Sequence, residues 1–206
     1  MEWEALGVSG AWLFTPKKHR DDRGWFIESF KQETFEEATG HPFRVAQTNV
    51  SHSRAGVIRG IHFSQFPTSQ GKYVTCLAGS ILDVVVDVRA GSPTFGKWEA
   101  VRLDSREPRA LYISEGLGHA FMALEDDSTV TYMVSSGYAP GREHGVDPLD
   151  PSIGIEWPVA GPDGTGLVPI LSAKDLAAPK LPEAFEEGIL PDYTEALEFA
   201  AALRRS

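Results

Sequence analysis

The 206-residue sequence has little of what marks secreted, membrane or nucleic-acid-binding proteins. Its one cysteine, Cys76, excludes an internal disulfide framework and fits a reducing compartment. Lysine and arginine number 19 against 29 aspartates and glutamates, so the net charge of −10 argues against binding duplex nucleic acid or an anionic membrane. No apolar run reaches the length of a membrane span, and no basic segment followed by an apolar stretch opens the chain. We therefore expect a soluble cytoplasmic protein.

Turn-forming residues are abundant instead. The chain contains 20 glycines and 14 prolines without a repeating period, and its hydrophobic fraction of 42% is ordinary for a folded protein. This composition favours a turn-rich β protein over a helical bundle. The pattern predicts strands at 10–16, 25–30, from 43 onward, 73–77, 81–89, 98–103, 110–113, 120–124 and 129–134, and helices at 31–39, 182–187 and 193–205. Short strands at this spacing indicate a sandwich or barrel.

The segment 73–89 has the clearest β pattern. Its two apolar runs are separated by the short connection 78–80, which predicts a hairpin. In the second run Leu82, Val84 and Val86 share one face, and Asp83 and Val85 share the other. Without an internal repeat or linker, we expect one domain over 1–206, with a core at about 10–176 and a C-terminal helical appendage at about 177–206.

Three groups of residues could carry chemistry. The first is Arg59 and His62 with Lys72 close behind, and the second is His119 after a glycine turn. The third is the pair of tyrosines at 132 and 138, which could equally be packing residues. On spacing alone, Arg59 and His62 fall on opposite faces of a strand, so ordinary structural roles are favoured unless Gly60 forms a bulge that redirects one of them.

The six histidines do not form a metal-binding pattern. They are scattered, no His-x-His pair occurs, and no carboxylate follows His62 at close ligand spacing. A catalytic transition-metal site requires about three protein ligands on convergent strands. We therefore expect the site to contain no metal.

A series of motifs occurs in order between residues 10 and 176. It comprises residues 23–30, 47–51, 56–63, 71–74, 83–89, 91–96, 115–121 and 171–175, together with Tyr132, Tyr138 and Glu143. In order and composition these motifs resemble those of the dTDP-4-dehydrorhamnose 3,5-epimerase family. The glycine beside His119 precedes it here, whereas the family pattern places it after. The resemblance implies a mainly β fold, a cupin-like jelly roll (double-stranded β-helix) with a few short helices. It also implies a homodimer in which N-terminal strands reach across to the partner.

The resemblance further implies an isomerase that acts on a dTDP-linked 4-keto-6-deoxy sugar without a cofactor. His62 is then the base, and Asp175 holds its other ring nitrogen. Tyr132 donates a proton on the opposite face, and Lys72 stabilises the enolate. The implied substrate contacts are Arg23, Phe26, Glu28, Gln47, Asn49, Arg59, His119, Tyr138, Glu143 and Lys174. Among them, Arg23 and Arg59 bind the diphosphate, and Tyr138 stacks on the thymine.

Three alternatives to a 3,5-epimerase stay open on the sequence. A 3- or 5-monoepimerase of an antibiotic-pathway sugar would keep the same base. A non-catalytic sugar-nucleotide-binding cupin would not need the acid–base set formed by His62, Tyr132 and Asp175. A metal-dependent cupin oxygenase is disfavoured because the ligand pattern is missing.

Overall fold

The computed structural model describes residues 2–67 and 69–205, and within them the chain forms thirteen strands and four helices. The strands are β1 (Glu2–Ala5), β2 (Ala11–Thr15), β3 (His19–Asp21), β4 (Gly24–Phe26), β5 (Gln47–Ser53), β6 (Ile58–Ser64), β7 (Lys72–Ala78), β8 (Ser80–Val86), β9 (Trp98–Asp104), β10 (Ala110–Ile113), β11 (Gly118–Ala123), β12 (Ser128–Val134) and β13 (Glu143–Gly145). The helices are α1 (Gln32–Thr39), α2 (Ala173–Leu176), α3 (Leu181–Glu186) and α4 (Tyr193–Leu203). Among the described residues, no helix combines the length and the apolar composition that a membrane span requires.

Two antiparallel sheets form the body of the molecule. The six-stranded sheet has the order β1-β2-β10-β7-β12-β5, and the five-stranded sheet has the order β13-β6-β11-β8-β9. Their facing sides share one apolar core, which includes Val74 and Leu111 from the first sheet and Val85 and Leu103 from the second. This architecture is the predicted cupin-like jelly roll, so the expectation of a mainly β protein is confirmed.

Strand β8 shows why the residue pattern produces two buried faces. Ile81 and Val85 point into the core between the sheets. Val84 and Val86 point the other way and pack, with Leu181 of α3, in a second apolar cluster on the outer face of the five-stranded sheet. A period of two along a strand requires this division, and the predicted alternation is therefore confirmed.

The predicted hairpin between β7 and β8 is wrong. β7 pairs with β10 and β12, whereas β8 pairs with β11 and β9, so the connection at Gly79 is a corner between the two sheets. Gly79 adopts a left-handed conformation with φ of 70°, and Ser128 Oγ donates a hydrogen bond to the carbonyl of Ser80 at 3.0 Å. Both strands are buried on both faces, and a two-stranded ribbon could not cover them. Local turn chemistry does not distinguish a corner from a hairpin.

The predicted half-buried strand at 25–30 is also wrong in extent and burial. β4 ends at Phe26, pairs with β3, and has no buried residue. Trp25 is 45% exposed and Phe26 is 65% exposed. Phe30, further along, joins an aromatic cluster with Phe35 of α1. The β3–β4 ribbon therefore stands away from both large sheets of its own chain.

Helices α1 and α3 pack on the outer faces of the six-stranded and five-stranded sheets. α1 ends where predicted, at Gly40, whose φ of 79° closes the helix with a backbone hydrogen bond to Glu36. The predicted helices near 182–187 and 193–205 correspond to α3 and α4. Phe199 of α4 packs on Phe66, with ring centroids 5.4 Å apart, and so braces the loop that leads into β7.

Candidate active site

A cavity of about 720 Å³ opens between β5 and β12 of one sheet and β6 and β11 of the other. Most of the residues predicted to bind or transform a substrate line it. They are His62, Tyr132, Asp175, Lys72, Gln47, Asn49, Arg59, His119, Tyr138, Glu143 and Lys174. Residues separated by more than 120 positions in the chain therefore share one concave surface, as binding sites require.

His62 and Asp175 form a close pair in this cavity. His62 Nε2 lies 2.7 Å from Asp175 Oδ1. The Asp175 side chain is only 7% exposed, whereas the His62 ring is 41% exposed to the cavity. Burial alone would raise the pKa of Asp175, but hydrogen bonds from His62 and Ser172 outweigh it and hold that pKa below its usual value. An ionised carboxylate accepts a hydrogen bond from the Nε2–H group, so the lone pair of the neutral ring is on Nδ1.

A backbone connection brings Asp175 to β6. The amide of Ile58 donates to the carbonyl of Ile170 at 2.9 Å, and the amide of Ile170 donates to the carbonyl of Gly56 at 2.9 Å. Gly56 is required there, because a Cβ would lie 2.3 Å from the carbonyl oxygen of Val168. This contact carries α2 to the side of β6, where Asp175 meets His62.

Gly60 forms the irregularity that the sequence suggested. The register between β6 and β11 shifts between His119 and Phe121, and Gly60 has φ of 128°. A Cβ at Gly60 would lie 2.5 Å from the Cβ of Ala120. Because of this shift, Arg59 and His62 both line the cavity. The bulge hypothesis is confirmed.

Arg59 is held in place by neighbours on β5. Its Nε donates to Ser53 Oγ at 3.1 Å, and its Nη2 donates to the carbonyl of His52 at 3.2 Å. These bonds leave the rest of the guanidinium free to bind an anion in the cavity. On the same strand, Gln47 Nε2 donates to Asn49 Oδ1 at 2.5 Å, so the two predicted amide contacts are linked.

Lys72 lies at the start of β7, with its side chain inside the protein. Its Nζ is 3.4 Å from the carbonyl oxygen of His62. Burial lowers the pKa of Lys72 to about 8, and the charges of Glu143 and Asp83 limit the shift. The amine is therefore mostly protonated at neutral pH and loses its proton as the pH rises through about 8.

Tyr132 stands on β12 between Asn49 of β5 and Val74 of β7. Its ring packs against the apolar core, and its other side faces the cavity. Burial raises the pKa of the Tyr132 phenol; the Arg59 charge opposes this shift and Glu143 adds to it. The phenol therefore keeps its proton at neutral pH and can donate it.

His119 belongs to a second histidine–aspartate pair, which the sequence reasoning missed in part. His119 Nε2 lies 2.6 Å from Asp83 Oδ1, and the Asp83 side chain is completely buried. The sequence places Asp83 within the motif at 83–89 but indicates no role for it. The available signal was the strand itself, since a carboxylate on the same face as Val85 of a buried strand needs a partner.

Tyr138 and Glu143 lie at the mouth of the cavity. Tyr138 is 65% exposed, so one face of its ring is available to a ligand. Glu143 lies at the start of β13, and its carboxylate accepts a hydrogen bond from the amide of Ala139 at 3.3 Å. Glu143 thus connects the loop that carries Tyr138 to the wall of the cavity.

The structure does not bring Arg23, Phe26 and Glu28 into the cavity of their own chain. All three are exposed on or just after the β3–β4 ribbon. The Arg23 side chain is 90% exposed and pairs with Asp21 across the turn. Within residues 2–67 and 69–205, no group of three or more His, Cys, Asp or Glu side chains could hold a metal ion.

The interior of this cupin-like jelly roll combines a histidine–aspartate pair, a protonated tyrosine and a buried lysine, which are the groups that an enzyme of proton transfer uses as base, acid and cation. Comparison with known proteins agrees. The family model described as dTDP-4-dehydrorhamnose 3,5-epimerase matches residues 5–183. The chain belongs to this family.

Three relatives show how far the similarity extends. A dTDP-4-dehydrorhamnose 3,5-epimerase of Streptomyces griseus is 54% identical over 96% of each chain. The solved rmlC epimerase of Mycobacterium tuberculosis is 46% identical, with a TM-score of 0.93, and the match covers 98% of this chain and 100% of that one. The structure of a 3'-monoepimerase from Streptomyces bikiniensis in complex with dTDP-quinovose is 49% identical, with a TM-score of 0.91 and 98% of each chain covered.

Proposed function

We propose that this enzyme inverts carbons 3 and 5 of dTDP-4-keto-6-deoxy-D-glucose to give dTDP-4-keto-L-rhamnose, in the cytoplasm and as a step of deoxysugar biosynthesis. The observation that supports this most directly is the His62–Asp175 pair in the same cavity as Lys72 and Tyr132. A site that only bound a sugar nucleotide would not need a base, an acid and a buried cation together.

The reaction follows from these groups. The ketone at carbon 4 acidifies the C–H bonds at carbons 3 and 5. His62 Nδ1 takes one proton, and the C–H electron pair forms the enolate, whose negative oxygen is stabilised by the ammonium of Lys72. Tyr132 then protonates the carbon from the other face, which inverts it. The imidazolium of His62 returns its proton to solvent and Tyr132 regains one, so the cycle needs no external oxidant or reductant.

Polar groups in the cavity match the rest of the ligand. Arg59, fixed by its bonds to β5, suits a diphosphate. Tyr138 offers an aromatic face for the thymine, while Gln47, Asn49, Glu143, Lys174 and His119 offer hydrogen bonds to the sugar or nucleotide. Although the chain has a net charge of −10, Arg59, Lys72 and Lys174 place three cations at this one cavity.

A second copy of the chain completes the site in our proposal. The β3–β4 ribbon is exposed and carries the apolar Phe26 on β4 and Arg23 in its turn. β5, which carries Gln47 and Asn49 beside the cavity, is an edge strand of the six-stranded sheet. An exposed edge and an exposed ribbon are complementary in a homodimer. We propose that the ribbon of one protomer delivers Arg23, Phe26 and Glu28 to the cavity of its partner.

Mixed dimers test this exchange. Arg23→Ala and His62→Ala are each expected to be inactive alone, whereas a mixture refolded together should recover about one quarter of wild-type activity, because half of the dimers contain one intact site. No recovery in dimers proven to be mixed would place Arg23 in the site of its own chain or remove its role.

Deuterium exchange tests the reaction itself. The protein is incubated with dTDP-4-keto-6-deoxyglucose in heavy water, and deuterium is followed at carbons 3 and 5. We expect exchange at both carbons in the wild type and none in His62→Ala, with dTDP binding unchanged. Exchange at carbon 3 alone would assign the monoepimerase activity of the Streptomyces bikiniensis relative. Exchange at neither carbon would leave a binding protein.

A further inference from the structure

Ser172, which no proposed step uses, makes two hydrogen bonds to Asp175. Its hydroxyl oxygen accepts a hydrogen bond from the amide of Asp175 at 3.1 Å. The same hydroxyl lies 2.8 Å from Asp175 Oδ2 and donates its proton there. Because Oδ1 is bonded to His62 Nε2 at 2.7 Å, the two carboxylate oxygens have two different and specific donors.

The burial of this carboxylate makes the second donor important. The Asp175 side chain is 7% exposed, so water has little access to Oδ2. A carboxylate bonded through one oxygen can rotate about its last side-chain torsion, which is broad for aspartate. The Ser172 hydroxyl fixes that torsion, because it is held from the backbone side by the amide of Asp175 and from the other side by Oδ2.

We propose that Ser172 is a positioning residue for the catalytic base: it orients the Asp175 carboxylate so that His62 keeps its Nε2–H tautomer and presents the Nδ1 lone pair to the substrate. This inference rests on the proposed epimerase function. It gives the enzyme a three-membered chain, Ser172 to Asp175 to His62, in which the outermost residue never touches the reacting carbon. Partners of this kind fix the tautomer and orientation of a histidine in many sites.

The competing explanation is that Ser172 only caps α2. Ser172 is the N-cap residue of this helix, and the two roles predict different responses to substitution. Glycine is nearly as good an N-cap as serine, whereas alanine is poor. A capping role therefore predicts that kcat falls in Ser172→Ala and changes little in Ser172→Gly. A positioning role predicts that kcat falls equally in both variants, because both lack the hydroxyl. It also predicts that Ser172→Thr, which retains the hydroxyl, keeps kcat near the wild-type value.

The experiment compares these three variants with the wild type. We expect kcat to fall about 10- to 100-fold in Ser172→Ala and in Ser172→Gly, with KM and dTDP affinity nearly unchanged. Ser172→Thr should retain kcat within about threefold. Thermal unfolding should change little in Ser172→Gly and Ser172→Thr, because glycine and threonine also serve as N-caps, and the unfolding temperature should fall slightly in Ser172→Ala, which loses the cap.

A spectroscopic measurement separates this proposal from the reaction. Nitrogen-15 NMR of the His62 ring should report a single Nε2–H tautomer in the wild type and in Ser172→Thr, and a mixture of tautomers in the other two variants. This readout needs no turnover, so it tests Ser172 even if the wild type exchanges neither carbon. The proposal would be overturned if kcat fell in Ser172→Ala but not in Ser172→Gly. It would also be overturned if both variants kept the wild-type kcat and the wild-type tautomer.

Discussion

The interior of this jelly roll has an apolar half and a polar half, and the same strands build both. The apolar half is the core around Val74, Leu111 and Val85. The polar half is the cavity that contains His62 and Lys72. On β7, Lys72 and Val74 lie on the same face, and a step of two residues, about 7 Å, separates the cavity from the core.

The difference between the halves lies in the energetic cost of their groups. In the apolar half, burial stabilises the fold. It also raises the pKa of the Cys76 thiol to about 12, a shift that no proposed step uses. In the polar half, burial is unfavourable for the charges themselves. Lys72 has a pKa of about 8, and Asp83 Oδ2 has no hydrogen-bond partner among the described residues. We infer that burial of apolar groups in the apolar half stabilises the fold enough to offset the cost of burying the charged groups of Lys72 and Asp83 in the polar half.

Replacing Lys72 should separate activity from stability most strongly. In Lys72→Met we expect kcat to fall about 10³-fold, because the proposed enolate would lose its stabilising cation. The free energy of unfolding at pH 7 should rise by up to roughly 3 kcal/mol, because the folded protein no longer holds a buried charge. Steady-state kinetics and urea unfolding measure the two quantities.

The pH dependence of the same residue provides the control. Because folding lowers the pKa of Lys72 to about 8, the wild type should lose activity as the pH rises through 8. Its stability deficit relative to Lys72→Met should shrink between pH 8 and the unfolded value near 10.5. In Lys72→Arg the alkaline loss of activity should disappear, since guanidinium stays protonated. An unchanged alkaline limb in Lys72→Arg would show that another group titrates there.

The sequence predicted the polar half better than the path of the chain. Chemistry-bearing residues such as His62 and Lys72 stand in recognisable strings, so their site could be named before their positions were known. The corner at Gly79 could not, because a short turn between two apolar runs fits a hairpin equally well and only pairing with distant strands decides. Arg23 could not be placed either, since its own chain leaves it in solvent.

Truncating the apolar half should give the opposite result to Lys72→Met. Leu111 is completely buried between Leu13 of β2 and Val74 of β7. Leu111→Ala should lower the free energy of unfolding by about 3 kcal/mol, because it removes buried methyl groups and leaves a cavity. Below the unfolding temperature, kcat and KM should stay near the wild-type values.

A matched control uses an exposed leucine. Leu149 is 45% exposed, so Leu149→Ala should change the free energy of unfolding by less than about 0.5 kcal/mol. A tenfold lower kcat of fully folded Leu111→Ala would show that the apolar core and the active site are coupled. It would contradict the description of the two halves as independent.

The smallest effect is expected at the mouth of the polar half. Tyr138 is 65% exposed and contributes no buried area to the core, so Tyr138→Leu should leave the free energy of unfolding unchanged. Loss of the proposed stacking on the thymine should raise the dTDP dissociation constant and KM about tenfold while kcat changes little. Tyr138→Phe keeps the ring and should bind dTDP nearly as tightly as the wild type in calorimetric titration. If Tyr138→Phe were as weak as Tyr138→Leu, the hydroxyl rather than the aromatic face would make the contact. In that case Tyr138 would bind the ligand through its hydroxyl and not by stacking. The contrast with Tyr132, which is partly buried in the same cavity and is proposed to act through its proton, would then be smaller.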